Sequence, residues 1–129
     1  MDRLFLDANV LFSAAYRPDA GLLALWKLRD VKLCSSRYAI EEARENLAEA
    51  AQKRRLGKLV QRLEIFDAGA GELPKGVSLP EKDAPILLAA MEARATHLIT
   101  GDVRDFGTYF GMSVQGILIL PPAEYLRRR

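Results

Sequence analysis

Two aspartates follow short apolar stretches, and their positions suggest a shared site. Asp7 comes directly after residues 4–6, and Asp102 follows residues 97–99 after a turn that contains Gly101. Such runs are typical of buried parallel strands, and ligands bind at the carboxyl ends of these strands. Two strands ending in carboxylates would place two anions at one sheet edge. Because close like charges need a proton or cation between them, this arrangement suggests a divalent metal.

Three further carboxylates are candidates for the same site, and each has an ordinary structural alternative. Asp83 opens a predicted helix over residues 84–95 and could simply cap it. Asp105 lies three residues after Asp102, and one of these two is expected to cap the next helix. Glu42 lies in a helix rich in glutamate, where a solvent-exposed position is the ordinary interpretation unless it faces inward. Asp7 itself could equally cap the helix that follows it.

The residue types restrict the chemistry to oxygen ligands. The chain has one cysteine and one histidine, so a structural zinc site of cysteines and histidines is excluded. Cys34 and His97 both lie in predicted strands and are expected to be buried or partly buried. No GxxxxGK[ST] or GxGxxG loop is present to bind nucleotide phosphates. Carboxylates without nitrogen or sulfur ligands favour Mg²⁺ or Mn²⁺, as one ion or as two.

Composition predicts one globular domain of 129 residues in which half of the residues are hydrophobic. The net charge of +2 is too small to indicate a nucleic-acid-binding protein by itself. Basic residues are nevertheless concentrated at Arg54, Lys58 and Arg62, and again in a tail at residues 127–129. The sequence has neither a signal-peptide pattern nor a membrane-spanning run, so we expect a cytoplasmic protein without a membrane partner.

The order of predicted elements indicates an α/β fold, with a mostly parallel central sheet and helices on both faces. Strands are predicted at residues 4–6, 31–34, 65–66, 97–99 and 114–120. Helices are predicted at residues 8–15, 20–29 with Asp19 as cap, from Ser35 or Ser36 to about residue 53, 56–63, 84–95, 104–109 and 123–126. Residues 68–80 contain three glycines and two prolines and are predicted to form a loop.

Three stretches together carry a resemblance to a known family. They are LFLDANVLFSA near the N-terminus, EEARENL in the middle, and LPEKDAPILLAAMEARATHLITGDVRDFG towards the C-terminus. This pattern resembles the PIN domain, and in particular the VapC-type ribonuclease toxins of prokaryotic toxin–antitoxin pairs. The resemblance covers residues 3–126 and implies a three-layer α/β/α PIN-like fold. A single PIN domain over residues 1–129, with a mobile basic tail at 127–129, is therefore expected.

The resemblance also implies roles for individual residues. It implies a catalytic set of Asp7, Glu42, Asp83 and Asp102. It implies metal binding by Asp7, Asp83, Asp102 and Asp105, with Asn9 and Thr100 in supporting positions. Arg54, Lys58 and Arg62 could follow an RNA backbone, although a solvated helix surface explains them equally well.

The activity implied by the resemblance is Mg²⁺- or Mn²⁺-dependent hydrolysis of RNA phosphodiester bonds. Its implied partners are a second copy of the chain, forming a homodimer, and a cognate antitoxin whose C-terminal segment blocks the cleft. Two alternatives stay within the PIN fold: an RNA-processing nuclease without an antitoxin, and a non-catalytic RNA-binding scaffold. A receiver-type or phosphatase-type α/β domain with a phosphorylated aspartate is a further alternative, although it would require an acidic pair before Asp7 or a second aspartate just after it.

Overall fold

The computed structural model describes residues 1–67 and 71–129 and contains a six-stranded central sheet flanked by helices. The strands are β1 Asp2–Leu6, β2 Val31–Ser36, β3 Glu64–Phe66, β4 His97–Ile99, β5 Ser113–Val114 and β6 Ile117–Leu120. Their order across the sheet is β3-β2-β1-β4-β6-β5, and only the β5–β6 pair is antiparallel. The predicted α/β class and mostly parallel sheet are confirmed.

The described residues also form six α-helices and two short 3₁₀ helices. The α-helices are α1 Ala8–Tyr16, α2 Arg37–Asn46, α3 Ala50–Val60, α4 Ala84–Glu92, α5 Val103–Phe106 and α6 Pro122–Arg127. The 3₁₀ helices are Gly21–Lys27 and Gly107–Tyr109. None of the helices within the described ranges is long and apolar enough to span a membrane.

Strand β1 is central because its side chains are apolar on both faces. Leu4, Phe5 and Leu6 are completely buried, as expected for a strand covered on both sides by helices. β1 pairs in parallel with β2 on one side and with β4 on the other, and Leu6 lies opposite Ile99. The chain segments that leave β1 and β4 therefore emerge next to each other at one edge of the sheet.

The prediction of one long helix after β2 is wrong, because this part of the chain forms two helices, α2 and α3. Ser36 does cap its start, accepting a hydrogen bond from the Ala39 N–H at 3.1 Å. The first helix ends at Asn46, and Leu47 turns into the core, where its exposure is 1%. The second begins after Glu49, whose N–H donates to the Gln52 side chain at 3.1 Å. The helix predicted at residues 56–63 overlaps the second half of α3, which ends at Val60.

Two other predicted boundaries also differ from the structure. The helix predicted at residues 20–29 is the 3₁₀ helix Gly21–Lys27, and Asp19 does not cap it. The strand predicted at residues 114–120 is a hairpin, because Gln115 and Gly116 turn the chain with φ angles of 52° and 80°. Two successive positive φ angles are characteristic of tight hairpin turns, and Gly116 was the available signal.

The C-terminal arginines are held by carboxylates, whereas a mobile tail was predicted. Helix α6 extends to Arg127, and Arg127 and Arg128 both pair with Glu124. Arg129 pairs with Asp30 and lies 3.8 Å from Asp2. In the predicted loop at residues 68–80, residues 71–80 have no helix or strand, and residues 68–70 lie outside the described residues.

Candidate functional site

Asp7 lies at the point where β1 ends and α1 begins. Its exposure is only 4%, yet both carboxylate oxygens are hydrogen-bonded. Oδ1 accepts from the Ala8 N–H at 2.7 Å, while Oδ2 accepts from the Thr100 hydroxyl at 2.8 Å and from the Asn9 amide at 3.2 Å. Asp7 is therefore the helix cap that the sequence suggested, and it is also held in one orientation by the neighbouring strand end.

Thr100 links Asp7 to the turn after β4. Its hydroxyl donates to Asp7 and accepts from the Asp102 N–H at 3.1 Å and the Asn9 amide at 3.3 Å. A hydroxyl offers one donor and two acceptor sites, so this buried group is fully used. Asn9 closes the network by accepting from the Gly101 N–H at 2.8 Å. The two segments that carry Asp7 and Asp102 are thus joined by short polar contacts.

A group of three carboxylates lies beside this network. One oxygen each from Asp83, Asp102 and Asp105 lie within 4.8 Å of one another. Asp102 caps the short helix α5, accepting from the Asp105 N–H at 3.0 Å. Asp83 immediately precedes α4, but its side chain makes no capping hydrogen bond to that helix. The Asp83 side chain therefore does not cap α4, which was the ordinary structural alternative for this residue.

The Asp83 carboxyl is the least satisfied group at this edge of the sheet. Its exposure is 7%, and its Oδ2 atom is buried without a hydrogen-bond partner among the described residues. A buried polar atom left unpaired costs about 1–3 kcal/mol, and more when it is charged. A proton or a bound cation would remove that cost. This position therefore suits either a protonated carboxyl or a bound cation.

The pKa values of the acidic residues reflect the same crowding. Burial raises the pKa of Asp7 to about 6, against the hydrogen bonds from Thr100 and Ala8, which lower it. Burial and, secondly, the adjacent Asp105 carboxyl raise the pKa of Asp83 to about 7. The pKa of Asp105 is lowered, with the Asp83 carboxyl as the main cause. Asp83 is thus the member of this pair that retains a proton most readily.

Glu42 approaches the site from helix α2 without joining the three-carboxylate group. Its side chain is exposed and lines a hollow of about 380 Å³ together with Asn9. Its charge contributes to the raised pKa of Asp7, which places the two carboxylates within electrostatic range. Asp7 is also outside the group formed by Asp83, Asp102 and Asp105. The basic residues Arg54, Lys58 and Arg62 lie on the exposed surface of α3 and just after it.

Two further residues border the carboxylates and were not predicted. The Lys82 ammonium lies 3.3 Å from Asp105, and that hydrogen bond is the main reason why the pKa of Lys82 is raised. The Tyr38 hydroxyl donates to the backbone carbonyl of Lys82 at 2.7 Å. The position of Lys82 next to Asp83 in the sequence was a usable signal. No spacing in the sequence indicates Tyr38, which is brought to the site by helix α2.

These residues fit a divalent cation. The available donors are carboxylate oxygens, which Mg²⁺ and Mn²⁺ prefer. The buried, unpartnered oxygen of Asp83 lies among them. Lys82 is the positive group nearest to Asp105 in the structure, but its side chain is 69% exposed and makes only one contact with the cluster.

The comparisons with known proteins agree with this architecture. The PIN domain profile matches residues 3–104, so the chain belongs to the PIN domain family. Among proteins with curated functions, none matches this sequence significantly.

Several solved structures share the fold at low sequence identity. VapBC2 from Rickettsia felis, bound to a DNA fragment from its promoter, has a TM-score of 0.67 at 20% identity, covering 92% of this chain and 98% of that one. VapBC-1 from nontypeable Haemophilus influenzae has a TM-score of 0.60 at 16% identity, covering 94% and 98%. FitAcB from Neisseria gonorrhoeae has a TM-score of 0.53 at 20% identity, covering 93% and 98%.

Proposed function

We propose that this PIN domain is a metal-dependent endoribonuclease that hydrolyses RNA phosphodiester bonds. The observation that carries the proposal is the buried Oδ2 atom of Asp83, which lacks a partner among the described residues and lies beside oxygens of Asp102 and Asp105. This arrangement lies at the edge where the carboxyl ends of β1 and β4 meet, the usual ligand-binding edge of such a sheet.

Asp83, Asp102 and Asp105 would hold the cation, with Asp7 as a fourth ligand candidate. A divalent cation supplies charge neutralisation at the phosphate and lowers the pKa of water in phosphodiester hydrolysis. Three free anions this close together would repel one another, and a bound cation would relieve that repulsion. Mg²⁺ and Mn²⁺ are the ions we propose.

The surrounding residues of the chain fix the orientation of the carboxylates. Thr100 contacts Asp7 with its hydroxyl hydrogen and the Asp102 backbone with its oxygen, so one side chain sets the position of both. Asn9 donates to the same Asp7 oxygen and accepts from the Gly101 N–H. Glu42 faces the same hollow as Asn9, and we propose that it completes the catalytic set with Asp7, Asp83 and Asp102.

We further propose that the nuclease is the toxin of a type II toxin–antitoxin system. The similarity of fold to the VapBC and FitAcB structures supports this proposal, as does the resemblance of the site motifs to VapC-type toxins. A cognate antitoxin and a second copy of the chain are the protein partners that follow. Light scattering of the purified chain, alone and with a candidate antitoxin, measures both associations.

Cleavage of a mixed RNA pool tests the proposed activity. Wild type, Asp7→Asn and the control Asp19→Asn are each assayed with Mg²⁺, with Mn²⁺ and with EDTA. Asp19 is exposed and lies outside the site, so its variant controls for the loss of one negative charge. We expect metal-dependent cleavage by wild type and Asp19→Asn, and none by Asp7→Asn or in EDTA. Cleavage by Asp7→Asn at the wild-type rate would contradict the assignment.

A further inference from the structure

Asp83 is held at the carboxylate cluster differently from Asp7 and Asp102. The Thr100 hydroxyl donates to the Asp7 carboxylate at 2.8 Å, and the Asp105 N–H donates to the Asp102 carboxylate at 3.0 Å. The Asp83 side chain does not cap α4, and its buried Oδ2 atom has no hydrogen-bond partner among the described residues. The position of the Asp83 carboxyl therefore depends on how its backbone is held.

The peptide group that joins Lys82 to Asp83 is hydrogen-bonded at both of its polar atoms. Its N–H donates to the Pro80 carbonyl at 2.9 Å, and its carbonyl accepts from the Tyr38 hydroxyl at 2.7 Å. Because a peptide group is planar, fixing its nitrogen and its oxygen also fixes the Cα atom of Asp83, which lies in the same plane. The bond to Pro80 is local to the turn, whereas the bond from Tyr38 comes from a different element, helix α2.

Tyr38 is itself held firmly beside the carboxylates. It lies in the first turn of α2, and its partly buried side chain packs against the hydrophobic core. Burial raises the pKa of Tyr38, and the charges of Glu42 and Asp83 raise it further, so the hydroxyl stays protonated and able to donate. Glu42 lies four residues further along α2, on the same side of the helix. One helix therefore brings both side chains to this edge of the sheet.

We infer that Tyr38 is a positioning residue for the proposed metal centre, because its hydroxyl holds the Asp83 carboxyl in the cluster through the Lys82 carbonyl. The inference rests on the proposed function and adds a residue that acts through Asp83. The hydrogen bond from Tyr38 lies at the protein surface, so water can replace it and its loss costs the fold little. The freedom of Asp83 to move increases, however. Metal affinity falls when the groups that orient a metal ligand are removed.

Tyr109 provides a matched comparison, because its hydroxyl binds the same connecting segment at a different point. That hydroxyl donates to the Ser78 carbonyl at 3.1 Å and accepts from the Ser78 N–H at 2.9 Å. Like Tyr38, Tyr109 is partly buried, and its hydrogen bonds lie at the surface. Ser78 precedes Pro80 and the turn that leads to Asp83. Removing the Tyr109 hydroxyl therefore loosens the segment without releasing the peptide group before Asp83.

Calorimetric titration with Mn²⁺ tests the inference independently of RNA cleavage. The chains are wild type, Tyr38→Phe, the control Tyr109→Phe, Asp83→Asn, and the double variant of Tyr38→Phe with Asp83→Asn. Phenylalanine keeps the aromatic ring and its packing, so each tyrosine variant loses only a hydroxyl. Urea denaturation of the same chains in EDTA measures their unfolding free energies. The double variant shows whether the effect of Tyr38 passes through Asp83, because coupled residues have non-additive effects.

We expect Tyr38→Phe to bind Mn²⁺ about fivefold less tightly than wild type, the usual effect of losing one hydrogen bond, and Tyr109→Phe to differ by less than about twofold. The two tyrosine variants should have similar unfolding free energies, so that a difference in Mn²⁺ affinity reports on the position of Asp83. In the Asp83→Asn chain, adding Tyr38→Phe should weaken binding by less than about twofold, because the carboxylate that Tyr38 positions has been removed.

Three results would overturn the inference and leave the proposed metal centre intact. They are wild-type affinity in Tyr38→Phe, equal losses of affinity in Tyr38→Phe and Tyr109→Phe, and a loss from Tyr38→Phe that persists in full in the Asp83→Asn chain. Failure of wild type to bind Mn²⁺, or binding by Asp83→Asn as tight as that of wild type, would instead overturn the proposed metal centre, and the inference with it.

Discussion

Thr100 is the single side chain on which the geometry of the site depends most. Its buried hydroxyl contacts the Asp7 carboxylate, the Asp102 N–H and the Asn9 amide. Thr100→Val keeps the shape and removes these contacts, leaving buried polar groups unpaired. We expect the variant to lose about 1–3 kcal/mol of unfolding free energy and to bind divalent cations less tightly, as measured by urea denaturation and calorimetry.

Thr108→Val is the matched control, because Thr108 is exposed and outside the site. We expect this variant to change neither the unfolding free energy nor the affinity for divalent cations. A Thr100→Val chain as stable as wild type would show that the hydroxyl network does not constrain Asp7.

Lys82 is the positive group that partly balances the carboxylates when no metal is bound. Its ammonium lies 3.3 Å from Asp105, and its exposed position limits the strength of that pair. A cation entering the cluster must compete with it. We expect Lys82→Met to increase the affinity for Mn²⁺ by about two- to fivefold. This factor corresponds to the usual strength of an exposed ion pair, which the metal no longer has to displace. Calorimetric titration measures this effect, and Lys75→Met, which alters an exposed lysine elsewhere, is the control.

A lower Mn²⁺ affinity in Lys82→Met than in Lys75→Met would contradict this account of Lys82. It would mean that the lysine assists metal binding.

At the level of residues, the sequence indicated positions better than contacts. The apolar runs before Asp7 and Asp102 were sufficient to predict that both lie at one edge of the sheet, where the structure places them. The unpaired oxygen of Asp83 and the hydrogen bond from Tyr38 to Lys82 were not predictable. Tyr38 and Lys82 are 44 residues apart, and their contact depends on how α2 packs near the start of α4.

Among the elements, α1 depends on α3 to complete its C-terminal end. The last carbonyl groups of a helix have no partner within it. Arg55 of α3 donates to two of them, those of Ala15 at 2.9 Å and Tyr16 at 2.9 Å. We expect Arg55→Met to lower the unfolding free energy by about 1.5–3 kcal/mol, the usual contribution of hydrogen bonds to a charged group. Urea denaturation measures the loss.

Arg54→Met serves as the comparison, because Arg54 is the exposed neighbour on the same helix. We expect Arg54, as an exposed cation, to contact the RNA backbone, so this variant should weaken RNA binding and leave stability unchanged. Equal destabilisation by both variants would contradict the assignment of separate roles.

The elements also show where sequence patterns reach their limit. Strands β1 and β4 were predicted within two residues because buried parallel strands are continuous apolar runs. The division between α2 and α3 was missed, since residues 37–60 contain no proline and only one glycine, Gly57, which lies within α3. The division depends on two contacts: Leu47 is buried in the core, and the Glu49 N–H bonds to the Gln52 side chain. Neither contact has a sequence pattern strong enough to predict a helix end.

For the whole molecule, the buried acidic site makes stability depend on pH. Because the pKa of Asp7 is about 6 in the folded chain and near 3.8 in the unfolded chain, folding favours its protonated form. The stability that protonated Asp7 gives to the folded chain is fully present below pH 3.8 and is lost as the pH rises through 6. We therefore expect metal-free wild type to become less stable relative to Asp7→Asn, by about 1–3 kcal/mol, between pH 4 and pH 7.

Urea denaturation in EDTA at several pH values measures this difference, and the comparison cancels groups that both chains share, such as His97. Asp19→Asn should follow wild type at every pH. A constant difference between wild type and Asp7→Asn across the range would show that burial does not perturb this carboxyl.

The proposed metal centre combines Asp83, which precedes α4, with Asp102 and Asp105, which follow β4, so metal binding depends on how these segments pack together. The most direct test is calorimetric titration of Mn²⁺ into wild type, Asp83→Asn and the control Asp19→Asn. We expect wild type and Asp19→Asn to bind equally, and Asp83→Asn to bind more than about tenfold less tightly. Equal binding by all three chains, or no binding by wild type, would contradict the assignment of Asp83, Asp102 and Asp105 as the metal centre.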